Sequence, residues 1–219
     1  MRRNVFPTPA NPRRVPESLE EFLERVAANT PTPGGGTVSA ICGAMSAALS
    51  RMVVNLAVGK QGYEGAQSDL AAIEARGTVL QRRFLDLAAE DAKAYDAVVA
   101  AMRLPKGTDA ERTARKHAMQ VAYKRATEVP METIRAALDA LELARLAAEK
   151  GNRNAITDAG VAALLAEAAM RGAALNVRVN LAAIADSGWR ATAEADLRAL
   201  LERGARVARE VVDLVESRL

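Results

Sequence analysis

The chain of 219 residues contains one cysteine, Cys42, one histidine, His117, and few aromatics: three Phe, three Tyr and one Trp. One cysteine excludes a disulfide framework within the chain, and one Cys with one His cannot assemble a Cys/His zinc site in a single subunit. No metal is expected, and a reducing cytoplasm is the simplest compartment. Aromatics make up only 3% of the chain against 50% hydrophobic residues, so the apolar content is largely Ala, Val and Leu. That composition favours closely packed helices over a sheet core. No apolar run reaches the ~20 residues of a bilayer crossing. The longest, residues 37–50, is interrupted by Arg51 and Asn55 and reads as a buried helix, so no membrane partner is expected.

The net charge of +3 is unevenly placed. Arg2, Arg3, Arg13 and Arg14 all precede the first acid, Glu17, and without them residues 15–219 carry a net charge of −1. Such a balance gives no electrostatic footprint for a polyanionic duplex, so no nucleic acid partner is expected. The same segment carries Pro7, Pro9, Pro12 and Pro16 with little apolar material and no signal-peptide core. Residues 1–16 are read as a mobile arm and 17–219 as one helical domain.

Beyond the arm the chain is a series of helical patterns. Ser18 with Glu21 forms a capping box ahead of Phe22, Leu23 and Val26, and Thr30-Pro31-Thr32-Pro33 ends that short helix. Past Gly34-Gly35-Gly36, a central helix over residues 37–58 carries Ala40, Gly43, Ala44, Ala47 and Ala48, small enough for close backbone approach. Ser68 is placed as the cap of a long helix to Met102, with Leu80, Phe84, Leu87, Tyr95 and Val98 on one stripe. Thr108 and Glu111 form a second capping box, and Pro130 is expected to kink or break the helix that this box opens, which stops at Lys150 with Gly151 as C-cap. A helix over residues 157–184 and a last one after Asp186-Ser187-Gly188 complete the chain. The expected fold is all-α, an up-and-down bundle of six or seven helices.

Within these helices Asp91 interrupts an apolar face, because its neighbours at one and two turns are Phe84, Leu87, Ala88, Ala94, Tyr95 and Val98. A carboxylate placed there loses hydration, and its pKa rises toward the range useful for proton transfer. A structural carboxyl satisfied by an Arg or Asn is the competing reading. The Gly34–Gly36 run can leave N–H groups open at a helix N-terminus, or it can serve geometry alone. Asn176 and Asn180 share a face one turn apart and could hold the edge of a heterocycle. Asp158 lies on that face by angle but ~27 Å from Asn176 along the axis. It equally suits the helix dipole, with Asn154 or Thr157 as cap. Arg51 and Asn55 need a polar partner, either a salt bridge or a ligand. His117 is read as structural or exposed, and Cys42 as core packing.

Four segments, in order and spanning about residues 18–215, carry a resemblance: Thr30-Pro31-Thr32-Pro33-Gly34-Gly35-Gly36-Thr37; Asp91-Ala92-Lys93-Ala94-Tyr95; Ala101-Met102-Arg103-Leu104-Pro105-Lys106; and Gly151-Asn152-Arg153-Asn154-Ala155-Ile156-Thr157-Asp158 followed by Asn176-Val177-Arg178-Val179-Asn180. With these the chain resembles the formiminotransferase-cyclodeaminase C-terminal domain and its free-standing relatives, the methenyltetrahydrofolate cyclohydrolases. The resemblance implies a homodimer that binds a tetrahydrofolate derivative, with no cofactor beyond that substrate and no metal, and Asp91 as the catalytic group. Asp91 is expected to move the proton between N10 and the departing ammonia or hydroxyl. Pro33, Gly34, Gly35, Gly36, Asn154, Asp158, Asn176 and Asn180 are expected to bind substrate, with Lys60, Lys106 and Arg178 toward the folate carboxylates. Gln61, Gly62 and Tyr63 after Lys60 depart from the more basic run of relatives. If the reaction is cyclodeamination, a separate formiminotransferase supplies the formimino group. A helical dimer that binds folate or serves in assembly without catalysis is the alternative from another class.

Overall fold

The computed structural model describes residues 18–219, so the arm expected over residues 1–16 lies outside it. Among these residues there is no strand. Six α-helices are found in order: α1 (Leu19–Ala27), α2 (Gly35–Asn55), α3 (Gln67–Met102), α4 (Asp109–Lys150), α5 (Ile156–Leu181) and α6 (Ser187–Glu216), with 3-10 turns at Glu64–Ala66 and Arg153–Ala155. The expected all-α fold is what forms, and α2, α3, α4 and α5 pack on one another to make its centre.

Local chemistry sets most helix ends. Both capping boxes form, Ser18 with Glu21 and Thr108 with Glu111, and Asp186 caps α6 by accepting from the Trp189 N–H at 3.0 Å. Ser68 does not cap α3. The 3-10 turn at Glu64–Ala66 feeds directly into that helix, which starts at Gln67 with no side-chain cap. A second such turn precedes α5, and Asn152 caps it by accepting from Asn154 N–H at 2.9 Å. Asn154 and Thr157 therefore do not cap α5, whose N-cap, Ala155, has no side-chain bond.

Pro130 does not break its helix. α4 runs unbroken for 42 residues through it. Proline has no N–H for the carbonyl four residues back, which is that of Ala126. Asn180 of α5 donates its amide Nδ2 to this oxygen at 2.7 Å, so the freed acceptor is paired by a neighbouring helix.

Small residues let the central helices approach. Gly43 of α2 lies under the Phe84 ring, where a Cβ would stand 2.6 Å from Cδ1. α2 and α5 run antiparallel: Gly35 faces Asn176 and Ser39 faces Gly172 at one end, and at the other Asn152 N–H donates to the Val53 carbonyl at 3.0 Å. Gly151 is held at that crossing, since a Cβ there would lie 2.6 Å from both the Ala147 oxygen and Val53 Cγ1. Arg51 forms a salt bridge with Glu74 at 2.6 Å, which Asn55 joins at 3.1 Å. That settles the choice between ion pair and ligand for this pair.

One burial expectation is corrected and another holds in part. Tyr95 is 40% exposed and off the buried stripe of Leu80, Phe84, Leu87 and Val98, while Ala94 beside it is the residue that turns inward. Cys42 packs against the core as expected but is only half-buried there; its burial pushes the thiol pKa up.

Candidate active site

The site begins with how α2 starts. The helix opens two residues earlier than its apolar pattern suggests, at Gly35, with Gly34 as an extended N-cap that offers no side-chain bond. The first N–H groups of a helix have no intrahelical acceptor and carry its positive end. Here the acceptor comes from another helix. Thr37 donates its hydroxyl to Asp91 Oδ2 at 2.9 Å, and the Thr37 backbone N–H lies close enough to the same carboxyl to lower its pKa. Asp91 of α3 thus fills the role a capping side chain would.

Gly36 makes the approach possible. A Cβ on it would stand 2.6 Å from Asp91 Cγ and 2.7 Å from Oδ2, and closer still to Oδ1. No residue with a side chain fits while the carboxyl keeps its place. The carboxylate at this helix start is the protein's own Asp91, held by Thr37 and admitted by the absence of a side chain at Gly36.

Two opposing influences act on that carboxyl. Burial among Phe84, Leu87, Ala88 and Ala94 raises its pKa above the ordinary aspartate value, and the two Thr37 donors pull it back; burial dominates. A carboxyl so placed exchanges protons closer to neutral pH than a solvated one. Asp91 is half-buried, so one side stays open to a reactant.

Some of the candidate residues gather here and others do not. Pro33 is buried beside the glycines. Gly35 is exposed, and a Cβ on it would lie 3.8 Å from Asn176 Nδ2, so Asn176 reaches the rim of the site. Its Nδ2 donates to the Gly172 carbonyl at 3.1 Å, leaving Oδ1 as its outward group. Asn180 lies at the same level, with its Nδ2 engaged by Ala126. Arg178 is exposed near the end of α5, in a groove with Arg190, Glu194 and Arg198 of α6. Lys106 stands in the α3–α4 loop, roughly 16 Å beyond Asp91 by helical rise to the end of α3.

Asn154, Asp158 and Lys60 form a second group at the opposite end of the domain. Lys60 comes just after the last turn of α2, and Asn154 and Asp158 open α5 beside it. From Gly36 to Val53, at the level of that group, is about 25 Å along α2. Neither Asn154 nor Asp158 has a side-chain hydrogen bond or ion pair among the described residues. Asp91 lines none of the described grooves between helices. Among the described residues no three His, Cys, Asp or Glu side chains cluster as a metal site would require.

Thr37 is the functional residue that sequence reasoning passed over, although it belongs to a motif already singled out. Its position, third in a helix with no side-chain N-cap, is the available signal, since a Thr there can share a partner with its own free N–H.

Comparison with known proteins agrees with this architecture. The pattern that defines the family Formiminotransferase-cyclodeaminase matches residues 18–199. The chain belongs to the formiminotransferase-cyclodeaminase family. A methenyltetrahydrofolate cyclohydrolase of Methylorubrum extorquens is 41% identical over 203 residues, 93% of this chain and 98% of that protein. The formimidoyltransferase-cyclodeaminase of Rattus norvegicus is 29% identical over 92% of this chain, which spans only 37% of that longer protein. Among solved structures, a formiminotetrahydrofolate cyclodeaminase of Thermotoga maritima superposes with a TM-score of 0.83 at 32% identity, covering 91% of this chain and 96% of the other.

Proposed function

We propose that this family member is a folate one-carbon enzyme that interconverts 5,10-methenyltetrahydrofolate and 10-formyltetrahydrofolate, with Asp91 as the proton-transfer group. The observation that carries the proposal is the Asp91 carboxyl itself, raised in pKa by burial and held by Thr37 at the start of α2. In the hydrolytic direction water adds to the methenyl carbon between N5 and N10 and loses a proton. The bond to N5 then breaks as the hydroxyl on that carbon loses its proton and N5 takes one up, which leaves the formyl group on N10 and releases one proton to solvent overall. A carboxyl that accepts the first proton and returns one to nitrogen serves both steps.

Hydrolysis is favoured by the cyclohydrolase relative that this chain matches along nearly its whole length. The likeness to the Thermotoga cyclodeaminase supports a second reading, loss of ammonia from 5-formiminotetrahydrofolate, for which a separate formiminotransferase supplies the substrate. Both reactions use a tetrahedral carbon between the same nitrogens, so the same aspartate serves either.

Homodimer formation belongs to the same proposal. α2 and α5 are rich in apolar residues that their neighbours cover only in part: Met45, Met52 and Leu56 at α2 and Val161, Leu164, Leu175 and Val179 on α5 remain exposed. Apolar faces of this extent mark contact surfaces.

Purified protein offered 5,10-methenyl- and 5-formiminotetrahydrofolate separately, with methenyl absorbance and ammonia followed, tests the reading. Loss of methenyl absorbance without ammonia is expected; turnover of the formimino compound alone moves the assignment to cyclodeaminase. Turnover of neither removes the catalytic proposal.

A further inference from the structure

The turn that seats Asp91 is made of residues that hold a helix start poorly. α2 opens on Gly35, Gly36 and Thr37, and its N-cap, Gly34, supplies no side-chain bond. Glycine gives up more backbone freedom on entering a helix than any other residue, and the first N–H groups have no intrahelical acceptor. From the α3 side this turn is gripped by Asp91 through Thr37. On the α5 side stands Ser39, buried, whose hydroxyl donates to the Gly35 carbonyl at 2.7 Å. That bond ties the first residue of α2 to the one that completes its first turn.

We infer that Ser39, kept in place by Gly172 of α5, is a positioning residue for the reaction: it fixes the Gly35–Thr37 turn against which the Asp91 carboxyl is held. The inference rests on the assignment of Asp91 as the proton-transfer group. Ser39 acts through the turn and Thr37, not on the substrate.

Gly172 decides where the hydroxyl can lie. A Cβ on it would overlap Ser39 Oγ, whereas Ser39 Cβ would be 3.5 Å away, an ordinary contact. The hydroxyl therefore rests against the α5 backbone in space that any side chain at position 172 would take. The same turn of α5 carries Asn176, whose Nδ2 donates to the Gly172 carbonyl at 3.1 Å and borders Gly35. One turn of α5, residues 172–176, is thus laid along one turn of α2, residues 35–39, with a glycine at each point of contact. Gly36 performs the matching task on the other side by admitting the Asp91 carboxyl. The helix start is held between α3 and α5, and its donors face Asp91 only while both grips hold. A serine that bonds back to the preceding turn slightly destabilises a helix and bends it. Its presence in the first turn of α2 therefore serves the placement of that turn rather than the stability of the helix. Ser50 makes the same kind of bond to the Ser46 carbonyl at 3.0 Å in mid-helix, away from the site, and provides an internal control.

The test compares Ser39→Ala, Gly172→Ala, the double variant and Ser50→Ala in the full-length chain, with turnover of 5,10-methenyltetrahydrofolate measured per folded protein. Ser39→Ala removes the bond without a clash and is expected to lower kcat and kcat/KM together by about 3- to 10-fold. Ser50→Ala is expected to keep wild-type kcat. Gly172→Ala is expected to lose on the order of 100-fold, because the turn must shift by roughly 1 Å. The double variant is expected to recover to the level of Ser39→Ala, since the new methyl then meets only the Cβ of residue 39, at 3.5 Å. Loss through a second substitution cannot produce that recovery, and a purely structural role leaves kcat per folded protein unmoved. Wild-type kcat in folded Ser39→Ala overturns the inference, and so does an equal loss in Ser50→Ala. A double variant no more active than Gly172→Ala overturns it too, because the clash then acts elsewhere than through Ser39. Should Gly172→Ala fail to fold, Ser39→Ala against Ser50→Ala decides. Asp91→Asn assayed alongside separates the two layers. Its full turnover removes the catalytic assignment and the inference with it, whereas an inactive Asp91→Asn beside a wild-type Ser39→Ala overturns the positioning role alone.

Discussion

Replacing Gly36 with alanine tests the geometry of the site without touching its chemistry. The added methyl stands 2.6 Å from Asp91 Cγ and 2.7 Å from Oδ2, where ordinary contacts lie at 3.4 to 4 Å. The carboxyl must retreat by roughly 1 Å, breaking the 2.9 Å bond from the Thr37 hydroxyl. A misplacement of that size costs on the order of 100-fold in turnover. Stability responds far less. Loss of the hydrogen bond to the carboxylate costs about 1–2 kcal/mol, and alanine in place of glycine in a helix returns about 0.5–1 kcal/mol. The net change of about 1 kcal/mol shifts Tm by roughly 2–4 °C in a domain of this size. Stopped-flow or steady-state absorbance of the methenyl group, beside a thermal melt, separates the two effects. A folded Gly36→Ala protein with turnover close to wild type refutes the argument that the glycine exists to admit Asp91.

Thr37→Val removes the hydroxyl that lowers the Asp91 pKa, so the limb of the pH–rate profile set by this group moves toward higher pH; an unmoved limb assigns it to another group. Because the folded-state pKa of Asp91 is raised, its contribution to stability is fully present below the ordinary aspartate range and is lost as pH rises through the folded value. Chemical denaturation against pH is expected to show wild type losing stability relative to Asp91→Asn over that window. Asn180→Ala leaves the Ala126 carbonyl unpaired beside Pro130 and costs about 1–3 kcal/mol, read as a lowered denaturation midpoint; an unchanged midpoint contradicts its structural role. Gly151→Ala forces a Cβ to within 2.6 Å of Ala147 O and Val53 Cγ1, and destabilisation of about 1–3 kcal/mol is expected from such overpacking, checked in the same assay.

Features set by local chemistry were legible in the sequence. The capping boxes at Ser18 and Thr108 and the turn at Asp186 depend on residues three positions apart, and they form as their spacing indicates. Asp91 was legible because helical periodicity exposes one acid among apolar neighbours. What the sequence hid are contacts that join distant helices. Thr37 meets Asp91 across 54 positions, so nothing near Thr37 identifies its partner. The continuity of α4 through Pro130 was hidden for the same reason, because the amide that pairs the freed Ala126 carbonyl comes from Asn180, on a different helix. The one-turn spacing of Asn176 and Asn180 suggested a common task, yet Nδ2 of the second is spent on α4 while the first borders Gly35. Asp158 shares their helical face by angle but opens the far end of α5, a separation that spacing does reveal.

The most direct test of the account is the paired measurement of folate binding and turnover in Asp91→Asn. The amide keeps the shape of the carboxyl and a partner for Thr37, so 5,10-methenyltetrahydrofolate should bind with an affinity near that of wild type while turnover falls by about 10²- to 10⁴-fold. Full turnover in a folded Asp91→Asn protein contradicts the assignment of proton transfer to this residue.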